Sequence, residues 1–140
     1  MLFEACSSHW RAENPPPSPH AWTAIDDPAE RTERALRDLY AFYGRTESMY
    51  SSLLRDEPLV PAVERRLRDF YRYLETIEDT LIAGRRLRGR ALRRTRAAIA
   101  HALAFATWRS LVHEQGLEDE EAVALVCALL EHAAHAPSKR

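Results

Sequence analysis

Val60, Val63, Leu67, Phe70, Leu74, Ile77 and Leu81 step along the chain by alternating three and four residues. That period is one face of an α-helix of about six turns, and it has to be buried lengthwise against other helices. The rest of the chain agrees. Ala, Leu, Arg and Glu dominate, and all are strong helix formers. Alternating runs of Val, Ile and Thr are absent, so strands have no support. The fold expected is all-α, an antiparallel bundle of about five to six helices.

At 140 residues, 46% of them hydrophobic, the chain is long enough for one domain with a core. Lys and Arg number 20 against 21 Asp and Glu. That balance excludes a strongly basic nucleic-acid module or an acidic tail as a description of the whole chain. Cys6 and Cys127 lie at opposite ends and form no CxxC pair, so reduced thiols are expected. The opening Met1 to Cys6 lacks the pattern of a signal peptide. No stretch approaches the ~20 apolar residues of a membrane span, and a cytoplasmic protein with no membrane contact is expected.

The domain expected over 1–140 divides as follows. Leu2, Phe3, Cys6, His9 and Trp10 predict a short helix over 2–13. Asn14-Pro15-Pro16-Pro17-Ser18-Pro19 ends it and opens a stiff linker over 14–27, with Trp22 as its anchor. The helical core is expected over 28–135. Asp27-Pro28 starts a helix to about Asp56, with a bend near Gly44 to Ser48. The seam helix follows over 60–83, and Gly84 stops it. A helix over 90–115 carries two apolar faces and is closed by Gly116. The last helix begins in the acidic turn Glu118 to Glu121, which suits the positive end of its dipole. It too is apolar round most of its circumference, and residues 136–140 fray. Two such helices carry more apolar surface than one small core needs. They are expected to pair with their copies as a four-helix bundle in a homodimer, through Ile99, Leu103, Ser110, Val123, Val126 and Leu130.

The run Arg85, Arg86, Arg88, Arg90, Arg93, Arg94, Arg96 reads as a solvated face. His132 and His135 share a helix face without a second pair, so no metal site is expected. No nucleophile elbow or phosphate-cradling glycine loop is present, and neither enzyme activity nor a cofactor is expected. The aromatics say more. Tyr40, Tyr43, Tyr50, Phe70, Tyr73, His101, Phe105 and Trp108 come from three long helices, and several end in a polar tip; the pocket candidates among them are Tyr43, Phe70, Tyr73, His101, Phe105 and Trp108. Apolar walls with a few hydrogen-bonding tips make a small-molecule pocket, although rings at helical spacing also simply pack.

Taken together, these segments resemble a known family. The stretch from Asp27-Pro28 through Ala35-Leu36, Tyr40, Tyr43, Thr46-Glu47 and Leu54-Arg55-Asp56 to Pro61 resembles the regulatory domain of TetR-family transcriptional regulators. So does Gly89 through His101, Phe105, Trp108 and Gln115-Gly116 to Glu120 and Val123. The opening Leu2 to Trp10 is similar to the helix that connects that domain to the DNA reader. Ser48 departs from the pattern, where a proline would be expected, and helix 28–56 is then expected to run straighter. The resemblance implies a small, largely apolar effector held among 28–56, 60–83 and 90–115, and dimerisation through the last two long helices. It also implies a helix-turn-helix ahead of Leu2, where only Met1 stands, so direct DNA binding by this chain alone is not expected. The function expected is that of the effector-binding and dimerisation domain. The alternative is a stand-alone helical interaction module without a small-molecule pocket.

Overall fold

The computed structural model describes residues 9–56 and 61–135, and these are helical with no strand among them. Residues 9–13 are helical, and a 3₁₀ turn spans Pro19–Trp22. Five helices follow: α1 (Pro28–Asp56), α2 (Pro61–Ile82), α3 (Gly89–Leu103), α4 (Phe105–Arg109) and α5 (Asp119–His135). A π turn, Ser110–Glu114, continues α4. Of the predicted helix over 2–13, Leu2, Phe3 and Cys6 lie outside the described residues, as do Val60 at the head of the seam and the tail 136–140.

α1 begins as its sequence dictates. The Asp27 carboxylate accepts from the Glu30 amide at 2.8 Å, and Pro28 opens the first turn. The helix runs to Asp56 without interruption through Gly44 to Ser48. α2 buries Val63, Leu67, Phe70, Ile77 and Leu81 of the seam. Gly84 then takes a φ of +79°, a conformation that suits a residue without Cβ. α5 packs against α1 and α3, while α2 covers the other side of α1 and α3.

The Pro-rich linker is tied down at two points. Trp22 is buried and its indole Nε1 donates to Asp38 Oδ2 at 2.9 Å. The Tyr73 hydroxyl donates to the Pro17 carbonyl at 2.5 Å.

The expected single helix over 90–115 is corrected. α3 ends at Leu103, and Ala104 turns extended with ψ of 136° before α4 starts. The chain there is rich in alanine and has no proline or glycine, so local propensity favours continuing the helix. The carbonyls at its end are taken by side chains instead. Tyr40 donates to the Ala102 carbonyl at 2.8 Å, and Tyr43 to that of Leu103 at 2.5 Å. The His101 carbonyl accepts from the Thr107 hydroxyl at 2.5 Å and the Ala104 amide at 3.2 Å. The ends of a helix leave carbonyls that need donors. Three hydroxyls supply them at this break.

The arginine run is corrected at one position. Arg86, Arg88, Arg90, Arg93 and Arg94 are exposed. Arg85 is not, since its side chain is 6% exposed. It donates to the Leu81 and Pro28 carbonyls, to the Thr32 hydroxyl at 2.8 Å, and to Glu131 at 3.1 Å. Arg31 is buried beside it. Its guanidinium donates to the carbonyls of Ile25, Asp26, Thr80 and Ala83. The two arginines together fasten the start of α1 to the end of α2 and to α5.

Candidate functional site

Eight rings gather around the middle and C-terminal half of α1. Tyr43 is at their centre, with Phe105 edge-on at 5.3 Å between centroids and Trp108 at 6.0 Å. Tyr50 and Phe70 approach to 4.7 Å. Phe42, Tyr40 and Tyr73 complete the group. Edge-to-face contacts of this kind add to the gain from burying the rings.

Two cavities of about 400 Å³ each open beside this group. The first lies between residues 10–16, α1 and α2. Its described walls include Trp10, Arg11 and Asn14, then Phe42, Met49, Tyr50 and Leu53 of α1, then Arg66, Leu67, Asp69, Phe70 and Tyr73 of α2. The second lies between α2 and the broken turn of α3 and α4. It is lined by Leu54, Tyr71, Leu74, Glu75 and Glu78, and by Ala100 and Leu103 to Ala106. Tyr50, Leu67 and Phe70 belong to both and form the partition.

The predicted pocket residues divide accordingly. Phe70 lines both cavities, Tyr73 the first and Phe105 the second. Tyr43 lies behind the partition, its hydroxyl engaged by Leu103. Trp108 is buried with its Nε1 on Asp119 Oδ1 at 3.0 Å. His101 is exposed and lines neither cavity. Arg66, Arg11 and Asn14 were not singled out as pocket residues, while Tyr50 stands among the suggestive aromatics but not among the chosen candidates. Arg66 had a sequence signal, since it falls three residues after Val63 and four before Phe70, on the seam's own face.

Burial sets the acidity of the phenols. It raises Tyr43 well above its ordinary range, and Tyr40 and Tyr73 also rise, again mainly from burial. Tyr50 is pushed up to about 12 by burial, against the pull of Arg11 and Arg66, whose charges favour the phenolate. All four rings are therefore neutral donors near neutral pH. Cys127, half-buried on α5, is pushed up to about 11, mainly by burial, and is a thiol rather than a thiolate there.

The predicted interface residues are placed differently. Ile99, Leu103, Val123, Val126 and Leu130 are buried within the single chain, and Ser110 is half-buried with its hydroxyl on Glu114. The apolar surface left on α5 belongs to Leu125, 41% exposed, and Leu129, 61% exposed. Ala124 and Ala128 are exposed beside them.

Among the described residues no group of three or more His, Cys, Asp or Glu could hold a metal ion, and no helix is long and apolar enough to cross a membrane. Comparison with family models, with curated proteins and with solved structures finds no match for the chain.

Proposed function

We propose that this chain is the effector-binding and dimerisation domain of a TetR-like transcriptional regulator, passing small-molecule binding on to a DNA-reading domain. The observation that carries the reading is the pair of cavities, about 400 Å³ each, that meet at Tyr50, Leu67 and Phe70. Both are clefts with partly open mouths beside the ring cluster, the kind of concave site where ligands are taken up. Chambers of this volume with apolar walls and a few polar groups suit small molecules.

The first cavity is walled on one side by Trp10, Arg11 and Asn14. In the reading, that stretch leads to the DNA reader. A ligand there favours one placement of the stretch against α1 and α2 over another, which is a population shift with reciprocal coupling. The proposal is of binding without turnover. Among the described residues neither cavity wall carries a serine, cysteine or histidine to act as nucleophile or base.

For assembly the reading uses Leu125 and Leu129. A second copy covers them when α3 and α5 of two chains form a four-helix bundle. Sedimentation tests this. The wild type is expected to run as a dimer at micromolar concentration, and the double change Leu125→Glu and Leu129→Glu as a folded monomer. A wild-type chain that is monomeric there ends the dimer proposal. A thermal-shift screen tests the cavities, because a bound ligand raises Tm with its concentration. Stabilisation by a protein partner alone, with no small-molecule response, would make the chain an interaction module instead.

A further inference from the structure

We propose that the arginine face at the start of α3 docks into an acidic groove between α1 and α5 of a second copy, once in each direction across a twofold axis. The inference rests on the dimer of the reading above and names the charged contacts that orient it. Between residues 80 and 113 the chain has eight arginines and no Asp or Glu. Arg85 and Arg96 are paired, the one with Glu131 and the other with Glu78 and Asp79. Arg86, Arg88, Arg90, Arg93 and Arg94 are exposed, and none has a carboxylate partner among the described residues. Arg90, Arg93 and Arg94 share one face of α3. They sit at the positive end of its dipole, where no acidic residue or side-chain cap offsets them. Like charges there oppose the helix, so the fold by itself gains nothing from the charge of this cluster.

The complementary surface lies at the same end of the bundle. Asp27, Glu30, Glu33 and Glu131 line an open groove of about 360 Å³ between the start of α1 and α5, together with Ala29, Cys127 and Ala128. Glu33 holds Arg37 at 2.9 Å and Glu131 holds Arg85 at 3.1 Å, yet the groove stays acidic. Cys127 registers the balance, since Glu33 and Glu131 each act on its thiol more strongly than Arg85 or Arg37 does. The groove continues through Ala128 into the exposed face of Ala124, Leu125 and Leu129. α5 packs between α1 and α3, and Arg85, just ahead of α3, reaches Pro28, Thr32 and Glu131. The start of α1, the start of α3 and the far end of α5 therefore meet at one end. Turning a second copy about an axis along α5 keeps those ends level and sets α3 of one chain opposite α1 of the other. Leu125 and Leu129 then meet their copies at the centre, and the arginines meet the groove at the rim. Residues 9–14 of both chains stay at one end, as the effector-domain reading requires.

The test is sedimentation of the full chain and of two charge reversals, Arg90→Glu with Arg94→Glu and Glu30→Arg with Glu33→Arg. All four positions are exposed, and circular dichroism checks that both variants fold. Each variant alone is expected to dimerise roughly 100-fold more weakly than the wild type, because like charges then face each other at both contacts. Mixed one to one, they are expected to recover a dimer. The reversed arginine face then meets the reversed groove, and the two native surfaces meet each other. Weaker wild-type dimerisation at about 0.5 M than at about 0.05 M salt is the companion expectation and needs no variant. Dimers of wild-type strength from either variant, or at both salt concentrations, overturn the inference and leave the Leu125 and Leu129 dimer standing. Loss without recovery on mixing also overturns it, because the arginines then answer to another acidic surface. A monomeric wild type ends the dimer reading and this inference together.

Discussion

The two ends of α1 are built from opposite materials. At the N-terminal end, Arg31 and Arg85 tie the start of α1 to the end of α2 through six backbone carbonyls and the Thr32 hydroxyl, and reach α5 through Glu131. At the C-terminal end, rings stack along two open chambers. Charged donors fix direction as well as distance, so the first end has one arrangement. Phe42, Phe70 and Phe105 have no polar tip and are held by packing alone, so around them the second end is less fixed in direction. The difference teaches where a small bundle keeps its rigidity and where it keeps its space.

The largest expected effect comes from attacking the rigid end. Arg31→Ala leaves the carbonyls of Thr80, Ala83, Ile25 and Asp26 without this donor, and a loss of about 3–5 kcal/mol is expected by chemical denaturation. A loss near zero would dissolve the contrast.

Alkali attacks the other end. Tyr50 holds its proton up to about 12 in the folded chain and to its ordinary value of 10.0 when unfolded. The unfolded state releases the proton first, so stability present below about pH 10 falls as pH rises towards about 12. The expected loss from this ring is up to about 3 kcal/mol. Denaturation midpoints across that range measure it, and Tyr50→Phe should flatten the slope.

Tyr43→Phe sharpens the comparison within the ring cluster. It removes the donor to the Leu103 carbonyl, and about 1–3 kcal/mol is expected. Tyr50→Phe near neutral pH is expected to cost less than about 1 kcal/mol, because Tyr50 lines a cavity and its hydroxyl makes no hydrogen bond among the described residues like the one Tyr43 makes to Leu103. If the two substitutions cost the same in matched unfolding curves, the distinction between capping tyrosine and cavity tyrosine fails.

How much of this was legible in the sequence depends on range. The Asp27-Pro28 start, the seam of α2 and the stop at Gly84 are local signals, and the helices formed accordingly. The break at Ala104 was hidden because its cause is remote. The hydroxyls that end α3 come from Tyr40 and Tyr43, some 60 residues earlier. The same distance blurred the site. Tyr43 and Tyr50 lie on one stripe of α1, and periodicity alone gives them the same standing. Whether a carbonyl or a void lies opposite is decided by other helices. Arg85 looked like one member of a solvated run for the same reason. Its partners Thr32 and Glu131 are 53 and 46 residues away.

The Pro-rich linker has a mechanical consequence. Pro15, Pro16, Pro17 and Pro19 have φ locked near −65°, so the segment resists bending. One end is clamped by Trp22 on Asp38, the middle by Pro17 on Tyr73, and the other end continues into Asn14 and Trp10. A stiff strut clamped at two points works as a lever arm for whatever acts on its far end. A push delivered at Trp10 is not absorbed as slack in a loop, and it loads the fulcrum at Tyr73, three residues from the Phe70 partition.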